Sequence, residues 1–163
     1  MIINRVWAMP NKWTFQIKPI KELLQKYGVG KSWVDPFAGQ FSPAEIRNDH
    51  RQEANAEYHL DAVEFADAID YGYLGCLFDP PYSIHEVKRH YDSLNRKYDF
   101  ASDPTCAFKK VRDLIAPKVD RVIYFGWNTN AFGKKRGFEI EEVLVVAHGG
   151  NRNDTLVTVE KAV

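Results

Sequence analysis

The stretch "YGYLGCLFDPPYS", residues 71–83, decides the fold of this 163-residue chain. Its first part is a compact apolar run rich in aromatic residues, which predicts a central strand. The strand must end near Asp79, because neither a helix nor a sheet continues through Pro80 and Pro81. A buried strand that ends in an acid, a rigid corner and Tyr82 is unusual for a purely structural segment, so we examine it as a candidate functional site.

Strands and helices alternate on both sides of this strand. Upstream we predict a helix in "KPIKELLQKYG", a strand in "SWVDPFAG", a short strand in "AEIRNDH", a strand or turn in "YHLDA" and a helix in "AVEFADAIDYG". Downstream we predict helices in "SIHEVKRHYDSL" and "DPTCAFKKVRDLIAPK", a strand in "DRVIYFGWN" and a hairpin over residues 138–163. This order predicts an α/β fold whose mostly parallel central sheet carries a C-terminal antiparallel hairpin, with helices on both faces.

The length fits one domain, residues 1–163. No apolar run is long enough to span a membrane, and the N-terminus lacks the apolar core of a signal peptide. Cys76 and Cys106 lack metal-ligand spacing, so we predict two reduced thiols and a cytoplasmic protein. His85, His90 and His148 do not show metal-ligand spacing either, and we predict no metal. Trp127 is predicted to be a core residue.

The charge is unevenly distributed although the formal net charge is zero. Residues 1–31 and 83–137 carry net charges of +5 and +6, whereas residues 32–82 and 138–163 carry −8 and −3. An acidic block between two basic blocks is compatible with a cationic ligand bound beside a surface for a polyanion.

Several acidic residues lie at the predicted carboxyl ends of strands, where α/β sheets bind their ligands. Asp35 ends one strand, and Gly39 four residues later permits close approach of the backbone to a ligand. Asp49 follows the next strand, at the position where nucleotide-binding folds place an acid on the ribose hydroxyls. Asp61 could accept a hydrogen bond from an adenine amine. Together these residues favour an adenosine-containing ligand.

The corner at residues 79–82 suits a different group. The two prolines remove backbone N–H donors and leave carbonyl acceptors beside the Asp79 carboxylate. Acceptors arranged in this way can hold the hydrogens of an –NH₂ group and direct the nitrogen lone pair at an electrophile. The ring of Tyr82 offers a face on which a base can stack.

The motif "DPPY" after an apolar strand, with "VDPFAG" upstream and "TFQIKPIKELLQKY" before it, resembles the S-adenosylmethionine-dependent amino methyltransferases. Among them, the DNA N6-adenine group matches best. The later stretch "GWNTNAFGKKRGFEIEEVLVVAHGG" resembles the closing half of small phage-type members. The resemblance covers roughly residues 13–83 and implies a Rossmann-like class I methyltransferase fold. It also implies direct in-line methyl transfer from S-adenosylmethionine to the N6 amine of a flipped-out adenine in DNA.

The resemblance assigns a role to each matching residue. Asp79, Pro80, Pro81 and Tyr82 would be catalytic, and Phe15, Lys18, Asp35, Phe37, Gly39, Asp49 and Asp61 would bind the cofactor. The sequence departs from the family pattern at Phe41, where the family usually has a second glycine. A bulky residue there is expected to change the backbone path between Gln40 and Pro43.

Two basic segments predict contacts with nucleic-acid phosphates beside the site. Their cationic residues are Lys88, Arg89, Arg96, Lys97, Lys134, Lys135 and Arg136. The sequence contains no separate target-recognition domain, so we expect a short or relaxed recognition sequence, or recognition supplied by a homodimer or a partner protein. RNA, a protein glutamine amide, and a non-catalytic nucleic-acid-binding role remain open as alternatives to DNA adenine methylation.

Overall fold

The computed structural model describes residues 1–81 and 104–163. In this part of the chain, seven strands form one sheet. The strands are β1 (Ile2–Trp7), β2 (Trp33–Asp35), β3 (Ile46–Arg47), β4 (Gly75–Phe78), β5 (Arg121–Gly126), β6 (Phe138–Ala147) and β7 (Thr155–Ala162). Their order across the sheet is β1-β6-β7-β5-β4-β2-β3, so β4 lies inside the sheet between β2 and β5.

Only β7, of the strands in the described residues, runs against the others. It pairs antiparallel with both β5 and β6, whereas the other pairings are parallel. The loops that follow β1 to β6 therefore leave the sheet at one edge, which we call the carboxyl edge. In parallel α/β sheets this is the edge at which ligands bind.

The described helices are α1 (Lys18–Lys26), α2 (Ala62–Ala68) and α3 (Pro104–Ile115), with short 3-10 turns at Thr14–Gln16, Ala116–Lys118 and Lys134–Arg136. Two apolar clusters cover the two faces of the sheet. The cluster on the α1 face includes Phe15, Leu77 and Phe125, and the cluster on the face of α2 and α3 includes Phe78. None of the described helices is long and apolar enough to cross a membrane.

The predicted architecture is confirmed, including the central strand, the helix that begins at Pro104 and the C-terminal hairpin. The stretch "YHLDA" forms a turn that contributes only an isolated bridge between Tyr58 and Asn48. The helix predicted in "SIHEVKRHYDSL" lies outside the described residues. Cys76 is buried in β4, as predicted.

Strand β1 was not predicted, because it lacks the pattern of a half-buried strand. All six of its side chains are exposed, since it pairs parallel with β6 at the border of the sheet. The buried carboxylate of Glu142 on β6 fastens it there, accepting hydrogen bonds from Asn4 Nδ2 at 3.1 Å and from Tyr27 Oη at 2.7 Å. The ammonium of Lys26 forms an ion pair with the same carboxylate. One acid thus joins β1 and the end of α1 to the sheet.

Candidate active site

Asp35 is the most deeply buried acid at the carboxyl edge, with no exposed surface. Its carboxylate accepts hydrogen bonds from Ser42 Oγ at 2.6 Å and from the backbone N–H of Phe37 at 2.9 Å. Burial raises the pKa of Asp35 to about 7 even though these two bonds lower it, and the charges of Asp79 and Asp49 raise it further. The carboxyl groups of all three acids therefore lie close enough to interact.

The loop after β2 is joined to the loop after β3 through Asp49. The backbone N–H of Gly39 donates to Asp49 Oδ2 at 3.1 Å, and the guanidinium of Arg51 bonds both oxygens, at 3.0 and 2.8 Å. Burial acts to raise the pKa of Asp49, but Arg51 outweighs it and holds the pKa below its usual value. A ligand hydroxyl that approaches Asp49 would meet a carboxylate already paired with this arginine.

Asn48 is a positioning residue that the sequence reasoning missed. It is 1% exposed, and its amide bonds the backbone at Pro36 O (3.2 Å), Leu60 O (3.1 Å) and Leu60 N (2.9 Å). The side chain thus fixes the relative positions of the segments that carry Asp35, Asp49 and Asp61. Its signal in the sequence is a polar residue immediately after a strand, which many loops share.

Asn48→Ala is expected to lower the free energy of unfolding by about 3 kcal/mol, because buried backbone groups would lose their partners. Urea denaturation monitored by circular dichroism measures the change. Asn128→Ala is the matched control: its amide oxygen caps the backbone of Asn130 in an exposed loop, and its loss should cost less than about 1 kcal/mol. Equal losses in the two variants would contradict the role given to Asn48.

Asp79 directly follows β4 at the centre of the carboxyl edge, and Pro80 is buried behind it. In β4 and β2, Leu77 and Trp33 both belong to the cluster on the α1 face. Because side chains alternate along strands, Asp79 and Asp35 extend from this same face. Two of the predicted catalytic and cofactor residues are therefore brought together where β4 and β2 end. Tyr82 lies outside the described residues, and its stacking role stays a prediction.

The segment before α1 covers the neighbouring part of the α1 face. Phe15 is buried, with its ring edge-on to Phe125 at 5.4 Å between centroids. Helix α1 begins at Lys18 with Pro19 next, and no side chain caps its first turn. Lys18 itself is exposed and lies 3.9 Å from Glu22. Phe15 thus packs in the core below the carboxyl edge, and cofactor contacts by Phe15 and Lys18 stay predictions.

Phe41 departs from the family pattern but has a defined contact. Its ring lies edge-on to Trp13, with 5.2 Å between the centroids, although 46% of Phe41 remains exposed. The contact joins the loop after β2 to the segment that precedes Phe15. Ser42 in the same loop was not singled out from the sequence, and its hydroxyl donates a hydrogen bond to the buried Asp35.

Phe37 and Asp61 have local structural partners. Phe37 packs edge-on against Phe78 and Phe108, at 5.2 and 5.6 Å between centroids, on the face of α2 and α3. Asp61 is the N-cap of α2, where its carboxylate accepts from the backbone N–H of Val63 at 2.9 Å. Cofactor contacts by these two residues stay predictions.

Of the predicted phosphate-binding residues, the three that the structure describes are not brought together with Asp79. The described basic residues come just before β6: Lys134, Lys135 and Arg136. The first residue of β6 pairs with Ala162, and the first residue of β5 pairs with the neighbouring Lys161. These basic residues therefore lie at the edge where β5 begins, opposite the carboxyl edge. Arg136 bonds Asp113 at 2.7 Å. Lys88, Arg89, Arg96 and Lys97 lie outside the described residues. Nucleic-acid binding by both groups stays a prediction.

Trp127 was expected in the core, and this prediction is wrong. The side chain is 47% exposed and follows directly after β5, the strand next to β4. It belongs to the carboxyl edge, and the sequence reasoning missed it because an aromatic residue after an apolar strand usually extends the core.

The parallel sheet with one reversed strand, together with the cluster of acids at its carboxyl edge, defines a Rossmann-like α/β protein with the class I methyltransferase fold. Three solved structures share this fold. TrmN from Thermus thermophilus has a TM-score of 0.57 and 14% identity over 90% of this chain, which spans about half (49%) of that structure. A conserved hypothetical protein from Streptococcus pyogenes has a TM-score of 0.53 and 14% identity, covering 89% of this chain and 94% of its own.

The third structure is HI0767 from Haemophilus influenzae, a protein proposed to be a methylase. It has a TM-score of 0.52 and 9% identity, with 90% of this chain and 87% of that one covered. No protein-family model and no curated protein match the sequence. At these identities the similarity concerns the fold, and the chemistry must be argued from the site.

Proposed function

We propose that the protein transfers a methyl group from S-adenosylmethionine to the N6 amine of adenine in DNA. The observation that carries this proposal is the position of Asp79 and its two prolines. They end the central strand β4 and lie on the same edge as the buried Asp35 and the Gly39–Asp49 contact. Acceptors for an amine and groups suited to a cationic cofactor are thus neighbours, as methyl transfer between the two requires.

The residues present fit the cofactor. The charge of Asp49 raises the pKa of the buried Asp35, and Arg51 pairs with Asp49. A cationic ligand would favour the ionised form of Asp35. At Gly39, φ is +58° and a Cβ would meet nothing within 4 Å, so the backbone borders open space. The uncapped first turn of α1 suits a carboxylate, and S-adenosylmethionine carries both charges.

When bound, S-adenosylmethionine supplies an electrophilic methyl group, so transfer to an amine needs no covalent enzyme intermediate. Asp79 and the carbonyl oxygen of Pro80 would accept hydrogen bonds from the two N–H groups of the target amine and orient its lone pair. After the methyl group is transferred, the nitrogen releases one proton. The contribution of the protein is then positioning and electrostatic stabilisation as positive charge develops on the nitrogen. A base in a duplex must first flip out of the stack, which costs a few kcal/mol.

The test is identification of the methylated nucleoside. The protein is incubated with isotope-labelled S-adenosylmethionine and unmethylated DNA of mixed sequence, as duplex and as single strands, and with RNA. After digestion, mass spectrometry should find labelled N6-methyladenine in DNA. N4-methylcytosine or a modified guanine would overturn the adenine assignment, label in RNA alone would favour RNA, and label in protein glutamine would favour the amide. Absence of cofactor binding by calorimetry would contradict methyl transfer altogether.

A further inference from the structure

Trp127 is placed beside the amine-binding corner by the pairing of β4 with β5. Phe78 of β4 pairs with Tyr124 of β5 in parallel. If this register is continued, Asp79 lies opposite Phe125. Trp127 then lies one strand over and two residues above Asp79, which is about 8 Å between Cα atoms in regular strand geometry. A single exposed indole is therefore within reach of a planar group held at Asp79.

Continuing the alternation of β4 and β5 by one residue past their ends at Phe78 and Gly126 assigns the carboxylate of Asp79 and the indole of Trp127 to one face. Leu77 and Phe125 both belong to the cluster on the α1 face, and Asp79 and Trp127 each come two residues later. On the core side of these two residues, the ring of Phe15 packs edge-on against Phe125. The space that Trp127 borders is thus above the core, at the carboxyl edge.

The side chain of Tyr124 lies on the other face of the sheet, with the cluster of α2 and α3. The Tyr124 ring is stacked on Phe78 (17° between planes, 6.0 Å between centroids) and lies against Gly126, where a Cβ would come within 2.9 Å of Cε1. Burial raises the pKa of Tyr124, and Asp79 is close enough to raise it further. Tyr124 therefore lies within range of the Asp79 charge, but on the face of the sheet opposite to Leu77 and Phe125.

We propose that Trp127 is a substrate-binding residue whose indole stacks on the extruded nucleobase while Asp79 holds its amine. This inference rests on the proposed function. Stacking is indifferent to base identity, so Trp127 positions the base and Asp79 selects it. An aromatic surface of this kind stabilises the flipped base without reading the sequence.

The experiment compares Trp127→Ala, Trp127→Phe and Trp7→Ala in steady-state methylation of unmethylated plasmid DNA. Trp7 is 64% exposed and lies on β1, which β6 and β7 separate from β5, so it is the matched control. We expect Trp127→Ala to lower kcat/KM for DNA by roughly 10- to 100-fold, Trp127→Phe to retain activity within about threefold, and Trp7→Ala to match the wild type. Calorimetric affinity for S-adenosylmethionine should stay within about twofold in all three.

Wild-type-like kcat/KM in Trp127→Ala would overturn the inference and leave the proposed function intact. A parallel loss of cofactor affinity would overturn it as well, because the indole would then belong to the cofactor site. A wild-type protein that methylates no nucleic acid would remove both proposals. A direct readout is the fluorescence of a Trp7→Phe variant, which should be quenched by single-stranded poly(dA); removal of Trp127 in that background should abolish the quenching.

Discussion

Asp79→Ala is expected to lower methyl transfer to DNA by at least about a hundredfold while leaving the cofactor affinity within about threefold. In the proposed mechanism the Asp79 carboxylate holds the amine, so its loss removes an acceptor needed as positive charge develops on the nitrogen. Cofactor contacts are assigned to the loops after β2 and β3, which the substitution does not touch. Transfer of labelled methyl groups and calorimetry with S-adenosylmethionine measure the two quantities separately.

Two further variants sharpen this result. Asp79→Asn keeps one acceptor oxygen but adds an N–H donor that opposes the amine, so its activity should lie between those of the wild type and Asp79→Ala. Asp67→Asn changes an exposed acid of α2 on the outside of the protein and should have no effect. If cofactor binding and transfer fall together in Asp79→Ala, the residue belongs to the cofactor site and its assigned role is wrong.

The affinity for S-adenosylmethionine is expected to rise by up to about tenfold between pH 5.5 and pH 7.5, because Asp35 ionises in this range. Its pKa of about 7 means that the buried carboxyl is largely protonated at the lower pH. The ionised form attracts the cationic cofactor more strongly, so the affinity increases as the proton leaves. Calorimetric titrations across this pH range give the midpoint directly.

Substitutions at and beside Asp35 separate this group from others that titrate nearby. Asp35→Asn should remove most of the pH dependence. Ser42→Ala should move the midpoint to higher pH, because the Ser42 hydroxyl donates to the carboxylate and favours its ionised form. An unchanged midpoint in Ser42→Ala would mean that another residue controls the titration.

The stability of the free protein should change in the opposite direction. A folded-state pKa of about 7 in place of 3.8 means that the native state holds this proton more tightly than the unfolded chain. The contribution of Asp35 is therefore fully present below about pH 4 and is lost as pH rises through about 7, by at most about 4 kcal/mol. Asp35→Asn should flatten this part of the stability profile.

Much of the fold could be predicted from local patterns. The apolar run ending at Asp79, the helix that begins at Lys18 and the Pro104 helix start have signals that lie within a few residues. The position of Asp79 followed from two prolines, whose effect on the backbone does not depend on the rest of the chain. These parts of the site were accessible because their causes are local.

Other parts depend on contacts between distant segments. Asn48 acquires its role only when Pro36 and Leu60 come to lie on either side of it, and Ser42 only when its loop returns to Asp35. The charge of the basic turn at 134–136 predicted a position beside the site. The register of β6 and β7 instead places this turn at the opposite edge of the sheet. Such placements follow from topology, which composition and spacing do not specify.

The attachment of β1 to β6 has a consequence for synthesis of the protein. Asn4 and Glu142 form their hydrogen bond across 138 residues of chain. At about 5–20 residues per second, a ribosome needs roughly 7–30 s to produce the partner strand after β1 has been made. During this interval Ile2, Ile3 and Val6, which stay exposed even in the finished fold, border a strand edge without a partner. Until β6 has been made, the nascent chain therefore carries β1 as an apolar segment without its partner strand.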